Sequence, residues 1–216
     1  MLDLILPLEC GGCGAPSTRW CAACAVELTV PADKPHVVNP RVDPQVPVFA
    51  LGRYAGPRRR VILAMKERGR GDLVAPLGRA LAIGVHRLLV WGMVETPLTI
   101  VPAPTRRSAA RRRGGDPVTR MARLAQMSLA ALPDCREITA VQALRMKALA
   151  RDSVGLGTAA RERNIAGRVV LRGARPVTEV VLVDDVVTTG ATARESVRIL
   201  QAAGVRVAAV LAIAAA

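Results

Sequence analysis

Val180-Val181-Leu182-Val183-Asp184-Asp185-Val186-Val187-Thr188-Thr189-Gly190-Ala191-Thr192 is the stretch on which the reading of this chain turns. Four apolar residues run straight into two adjacent acids, then into a Thr/Gly turn, and a helix-like segment follows from Ala193 to Ala203. A continuous apolar run is the mark of a parallel strand covered on both faces, and open α/β sheets bind their ligands where such strands end. A Thr/Gly turn that opens a helix offers hydroxyls, backbone N–H groups and the positive end of a helix dipole, which suit a phosphate. Paired carboxylates suit hydroxyl donors but repel a phosphate. The ligand therefore carries both a hydroxylated sugar and a phosphate, as a ribose 5-phosphate does. The plainer alternative is a buried strand followed by an N-capping loop, which has no need of paired acids.

The segment resembles the phosphoribosyl-pyrophosphate (PRPP) motif of type I phosphoribosyltransferases. That resemblance implies an open, mostly parallel α/β sheet flanked by helices. It also implies that Asp184 and Asp185 hold the ribose hydroxyls, while Thr188, Thr189, Gly190, Ala191 and Thr192 hold the 5-phosphate. In that pattern the loop after the first core strand binds pyrophosphate. Here Leu98 to Pro104 reads as that strand, and Pro102, Ala103, Pro104, Thr105 and Arg106 stand at the loop. Arg107 and Arg111 to Arg113 follow; guanidinium forks suit such an anion, though an Arg-rich loop is also an ordinary solvated one. Type I enzymes carry a closing loop over an interval that corresponds to Arg145 to Arg168, which makes Arg145, Lys147 and Arg151 candidate cations for the departing pyrophosphate.

Near the N-terminus four of the five cysteines form two pairs, Cys10-Gly-Gly-Cys13 and Cys21-Ala-Ala-Cys24. Two residues between thiolates let both face one ion, and Gly12 and Gly14 relieve that turn. Four thiolates close a tetrahedron, so the expected Zn2+ is structural, and its binding would supply folding free energy on the order of 10 kcal/mol. Disulfides are the alternative; no secretory signal is evident in Met1 to Leu8, which favours metal. Cys135 stands apart as a plain thiol.

The order of a four-Cys module, a basic helical segment, a Pro-x-Pro turn with an Arg cluster and the PRPP motif is similar to the ComF family, competence-associated phosphoribosyltransferase-like proteins. Leu6 to Cys10, Tyr54-Ala55-Gly56 with Lys66, Val101 to Pro104, Arg113-Gly114, Gly155-Leu156 and Arg161 to Asn164 carry the likeness. Gly115-Asp116-Pro117 and Ser153 depart from the family pattern. The resemblance divides the chain into a zinc module at 1–28, a Pro-rich linker and basic helical hood at 29–95, and a phosphoribosyltransferase-like core at 96–216. It implies Mg2+ bound with PRPP, phosphoribosyl transfer to an unidentified nitrogen acceptor, and a link to DNA uptake.

The bulk numbers fit anionic ligands. Net charge is +14, and 28 of the 31 basic residues are Arg; an Arg-rich genome would leave the same mark. Single-stranded DNA and DNA-uptake proteins are the alternative partners, with a non-catalytic or sensory PRPP site. The four aromatics, Trp20, Phe49, Tyr54 and Trp91, offer little base stacking. No general base is apparent, since His36 and His86 fall outside the motif. The apolar tail Ala208 to Ala216 is too short to span a bilayer, so a cytoplasmic protein without membrane insertion is expected. Helices are expected over Pro57 to Lys66, Leu73 to Leu89 and Val118 to Leu132. Strands are expected over Val48 to Tyr54, Ile138 to Leu144, Val169 to Leu171, Val177 to Val183 and Val205 to Ile213.

Overall fold

The two nine-residue strands Glu179–Val187 (β7) and Val207–Ala215 (β8) pair in parallel at the centre of the sheet. Val180 to Val183 are completely buried, as their unbroken apolar run requires when both faces are covered. The computed structural model describes residues 8–30, 36–105, 115–147, 165–173 and 175–216. Within them a six-stranded sheet has the order β1-β2-β8-β7-β3-β4. Its other strands are His36–Val37 (β1), Val48–Ala50 (β2), Leu98–Pro102 (β3) and Ile138–Ala140 (β4). Only the β1–β2 pairing is antiparallel. The architecture is thus a mostly parallel α/β sheet flanked by helices, with a four-cysteine cluster near the N-terminus.

Helices cover both faces. Gly56–Glu67 (α2) carries Pro57 in its first turn, where a missing N–H costs nothing. Val74–Val90 (α3) buries Leu77, Leu81, Val85 and Leu88, each worth about 1.5–3 kcal/mol relative to exposure. Pro117–Leu129 (α4) shows Val118, Met121, Ala122, Ala125 and Leu129 inward at helical spacing. These three helices share one apolar core with Val181, Val183, Leu211 and Ile213 of the central strands. Ala191–Ala202 (α5) packs Val197 and Leu200 on the opposite face, against Val180, Leu182 and Val210. The short helix Ala22–Glu27 (α1) belongs to the cysteine region. The segment Gly71–Val90 has the length and apolarity of a membrane span, yet more than half of it lies buried within the fold.

Several expectations meet a different outcome. Ile138 to Leu144 is not one strand: the chain turns at Val141–Ala143, where the Ala143 N–H donates to Val141 O. Leu144–Met146 (β5) then pairs antiparallel with Val169–Leu171 (β6) in a separate two-stranded sheet. The Pro-rich segment is more than a linker. It supplies β1, and Val42 N–H donates to Thr189 O at 2.8 Å. The strand predicted to stop at Val183 continues through both acids to Val187, because β8 continues beside it. Arg106, Arg107, Arg111 to Arg113, Arg151, Ser153, Gly155, Leu156 and Arg161 to Asn164 lie outside the described residues.

Gly190 is where linker and sheet meet. Its φ is +86°, and a Cβ there would lie 2.3 Å from Val42 O and 2.8 Å from Pro40 Cβ. The Gly190→Ala variant is expected to lose at least about 2 kcal/mol of stability, from left-handed strain and collision together. Urea denaturation of the variant beside the parent chain measures it.

Candidate functional site

Helix α4, on one face of the sheet, connects β3 to β4, whereas α5, on the other, connects β7 to β8. β3 and β7 are neighbours, so the strand order reverses between them, and a crevice opens at their carboxyl ends. β3 pairs with β7 up to Pro102↔Val183, and Ala103 N–H extends the ladder to Val183 O at 2.8 Å. Beyond that point, among the described residues, β7 keeps only β8 as a neighbour, with Asp184↔Ala212 and Val187↔Ala215. Both acids therefore sit on rigid strand but beside an open notch.

Two adjoining cavities occupy the notch. One, of 220 Å³, is walled by Thr188 to Ala193 with Asp184 and Ile165. It includes the expected phosphate residues Thr188, Thr189, Gly190, Ala191 and Thr192 in one arc at the start of α5. The first N–H groups of a helix have no intrahelical acceptor, and the Thr189 hydroxyl shapes the turn by accepting from Ala191 N–H at 3.3 Å. The second cavity, of 330 Å³, is lined by Asp184, Asp185, Lys66, Glu67, Pro104, Thr105 and Met146, among others. Pro104 and Thr105 thus reach the site, while Pro102 and Ala103 are buried behind them. Arg145 and Lys147 are exposed on either side of Met146, and neither lines either of these two cavities.

The two acids differ. Asp185 is buried, and its Oδ1 accepts from Lys66 Nζ at 2.7 Å. Asp184 is half-buried, and its Oδ1 accepts from the Asp185 N–H at 2.8 Å. Burial, together with the neighbouring Asp185 charge, pushes the Asp184 carboxyl well above the usual carboxylate range, against the pull of Lys66.

Three supporting residues escaped the sequence reading. Lys66 carries no local signal of its role beyond the family likeness. Asp116, noted as a departure, is the N-cap of α4: it accepts from Val118 N–H at 3.1 Å and from the hydroxyls of Thr119 and Thr105 at 2.8 and 2.9 Å. It thereby ties the end of the β3 loop to a helix start, and an Asx residue before Pro117 was the available signal. Glu195 on α5 is buried, paired with Arg198, and accepts from Gly167 N–H at 2.8 Å. It holds the turn that carries Ile165 to both cavities.

The cysteine region forms a second site. The Sγ atoms of Cys10, Cys13, Cys21 and Cys24 all lie within 4.8 Å of one another. Cys21 Sγ is 3.6 Å from those of both Cys10 and Cys13, near the roughly 3.8 Å edge of a tetrahedron with 2.3 Å zinc–sulfur bonds. None is disulfide-bonded. Burial opposes ionisation of Cys10, yet N–H donors from Cys13, Cys21 and Gly12 and the Cys21 thiol bring it down to about 6. Burial and the surrounding sulfurs push Cys24 up, a penalty that a cation among them removes. A Cβ at Gly12 would stand 2.6 Å from Cys24 Sγ, so glycine lets the sulfurs converge. The donor set and spacing fit a structural metal such as zinc, held by these four residues. Arginines fasten the region to α2 and its exit: Arg60 donates to Gly12 O, Arg58 to Glu27 O, and Arg70 to Glu9 O at 3.1 Å.

Two outcomes are expected. The purified chain should carry one zinc, replaceable by Co2+ with tetrahedral thiolate absorption, and Cys24→Ser should abolish that spectrum. An Asp184 carboxyl whose folded pKa is raised weakens folding as pH climbs from the unfolded value, about 3.9, towards the folded one. Asp184→Asn should therefore be more stable than the parent at neutral pH, with a gain that shrinks near pH 4. Thermal melts across pH measure it.

No family model matches this chain, and no curated protein matches it, so the site stands on its own geometry.

Proposed function

We propose that this protein is a type I phosphoribosyltransferase-like member of the ComF kind that binds Mg-PRPP and transfers its phosphoribosyl group to a nitrogen acceptor. One observation carries the reading: an acidic pair on β7 and a Thr/Gly helix start share adjoining cavities at the switch point of a mostly parallel sheet. A phosphate at the start of α5 meets N–H groups, hydroxyls and the helix dipole. The ribose hydroxyls of the same ligand then face Asp184 and Asp185, and its pyrophosphate faces Pro104 and Thr105, with Arg106 next in the chain.

In the reaction the anomeric C–O bond to pyrophosphate breaks and a C–N bond to the acceptor forms, the acceptor proton passing to solvent or to the leaving group. Charge-stabilising groups matter most where the pyrophosphate departs. Mg2+ bound with PRPP would supply positive charge to the leaving pyrophosphate beside Pro104 and Thr105. Asp184 and Asp185 orient the sugar and offset the positive charge that grows at its anomeric carbon. Arg145 and Lys147 flank the cavity wall at Met146, a position suited to meeting the leaving anion as it is released.

Titration of Mg2+ and PRPP into the zinc-loaded protein tests the reading. Binding near micromolar, about −8 kcal/mol, that the Asp184→Asn/Asp185→Asn double variant loses is the expected outcome. A folded protein that binds no PRPP overturns it and brings forward single-stranded DNA as the ligand of the basic surface. DNA affinity would then survive loss of both acids and fall steeply with salt.

A further inference from the structure

The acid pair is bound up with a cation that comes from the other half of the chain. Lys66 stands in the last turn of α2, 119 residues before its partner. Its Nζ lies 2.7 Å from Asp185 Oδ1, and the Asp185 side chain is only 5% exposed. A carboxylate so deep is costly without a partner, and removing one member of such a pair leaves an uncompensated buried charge. Asp184 accepts from the Asp185 N–H, so one ammonium and one amide organise both acids. All three side chains line the same 330 Å³ cavity. Among the described residues its other charged lining residue is Glu67, exposed at the end of α2. The remaining described lining residues, Thr105, Met146, Ile165 and Thr188 among them, are uncharged, and Asp116 is spent on capping α4.

Resting on the phosphoribosyl reading above, we propose that Lys66 is the positioning residue that sets the charge and orientation of the Asp184/Asp185 pair, and so lets a phosphorylated sugar approach it. With Oδ1 engaged by Lys66, Oδ2 of Asp185 remains to accept a sugar hydroxyl. Two bare carboxylates would repel the phosphates on either side of that sugar; the ammonium cancels one charge within the cavity. A lysine is apt because its head is a compact point charge on a flexible stem. The α2 helix that carries it is fastened to the cysteine region through Arg58 and Arg60. The metal module thus has a structural route to the proposed sugar site.

The test compares the full zinc-loaded chain with Lys66→Met, Lys66→Arg and Asp185→Asn. Carboxyl carbon NMR of the Asp184/Asp185 pair gives a readout that needs no ligand. Calorimetry with ribose 5-phosphate and with Mg-PRPP gives the second. In Lys66→Met the Asp184 carboxyl titration should move to higher pH, because a cation that favours its ionisation is gone, and Lys66→Arg should restore it. Affinity for both ligands should fall together by at least about tenfold. The Lys66→Met/Asp185→Asn double variant should lose less than the sum of the singles, as partners do. An unmoved titration in a folded Lys66→Met protein overturns the proposal. A moved titration with both affinities within twofold of the parent also overturns it, leaving a purely structural ion pair. If the parent chain binds neither sugar phosphate, the phosphoribosyl reading fails separately, and the titration alone decides whether Lys66 governs the pair.

Discussion

The offset between β3 and β7 is the constraint on which the rest of the molecule depends. β3 stops its ladder near Pro102 and Ala103 opposite Val183, while β8 accompanies β7 to Val187. A proline within β3's last pairing and another two residues on favour that end, since proline has no N–H to donate. The four residues that remain on β7 are held from one side and open on the other. Asp184 and Asp185 fall in this interval. Had β3 continued, its backbone would occupy the notch, and two acids in a sheet interior would have little to offset their burial.

Everything around the notch has the character of support for it. Asp116 locks Thr105 to the start of α4. Glu195 draws the Ile165 turn towards α5. Val42 and Pro40 press on Gly190, so the left-handed turn that opens α5 is fixed by a segment remote in sequence. Lys66 reaches Asp185 from α2. These contacts come from four separate stretches of chain, and each ties a polar group that burial would otherwise penalise. Burial and the neighbouring Asp185 leave the Asp184 carboxyl with a raised pKa, and perturbed groups of this kind cluster at functional sites.

Much of this was legible in the residues. The apolar run Val180 to Val183 announced a strand covered on both faces, and the Thr188 to Thr192 turn announced a helix start, because both are local patterns. The two C-x-x-C pairs foretold a four-sulfur cluster, since short spacings leave few other geometries. The helices over Pro57, Leu77 and Val118 followed from periodicity with errors of a few residues at their ends. The single strand expected over Ile138 to Leu144 went astray because Ile138, Ala140, Val141, Ala143 and Leu144 suit a strand without any Gly or Pro to mark a break, whereas the turn at Val141–Ala143 depends on hydrogen bonds that no local residue signals. The Pro-rich stretch looked like linker for a similar reason: its role as an edge strand and as a wall behind Gly190 exists only once β8 and α5 are in place.

The sequence by itself determined the chemical vocabulary of this protein: an acidic pair before a Thr/Gly helix start, a four-thiol cluster, and a strongly basic balance. Local patterns suffice for these because each is written in neighbouring residues whose spacing matches a strand, a turn or a metal ligand set. Only the tertiary structure decided that Lys66, Thr105, Asp184 and Asp185 share one cavity, and that the adjacent acids differ in burial and in hydrogen-bond partner. Those are consequences of strand register and helix packing, which join residues more than a hundred positions apart and which no window of sequence contains.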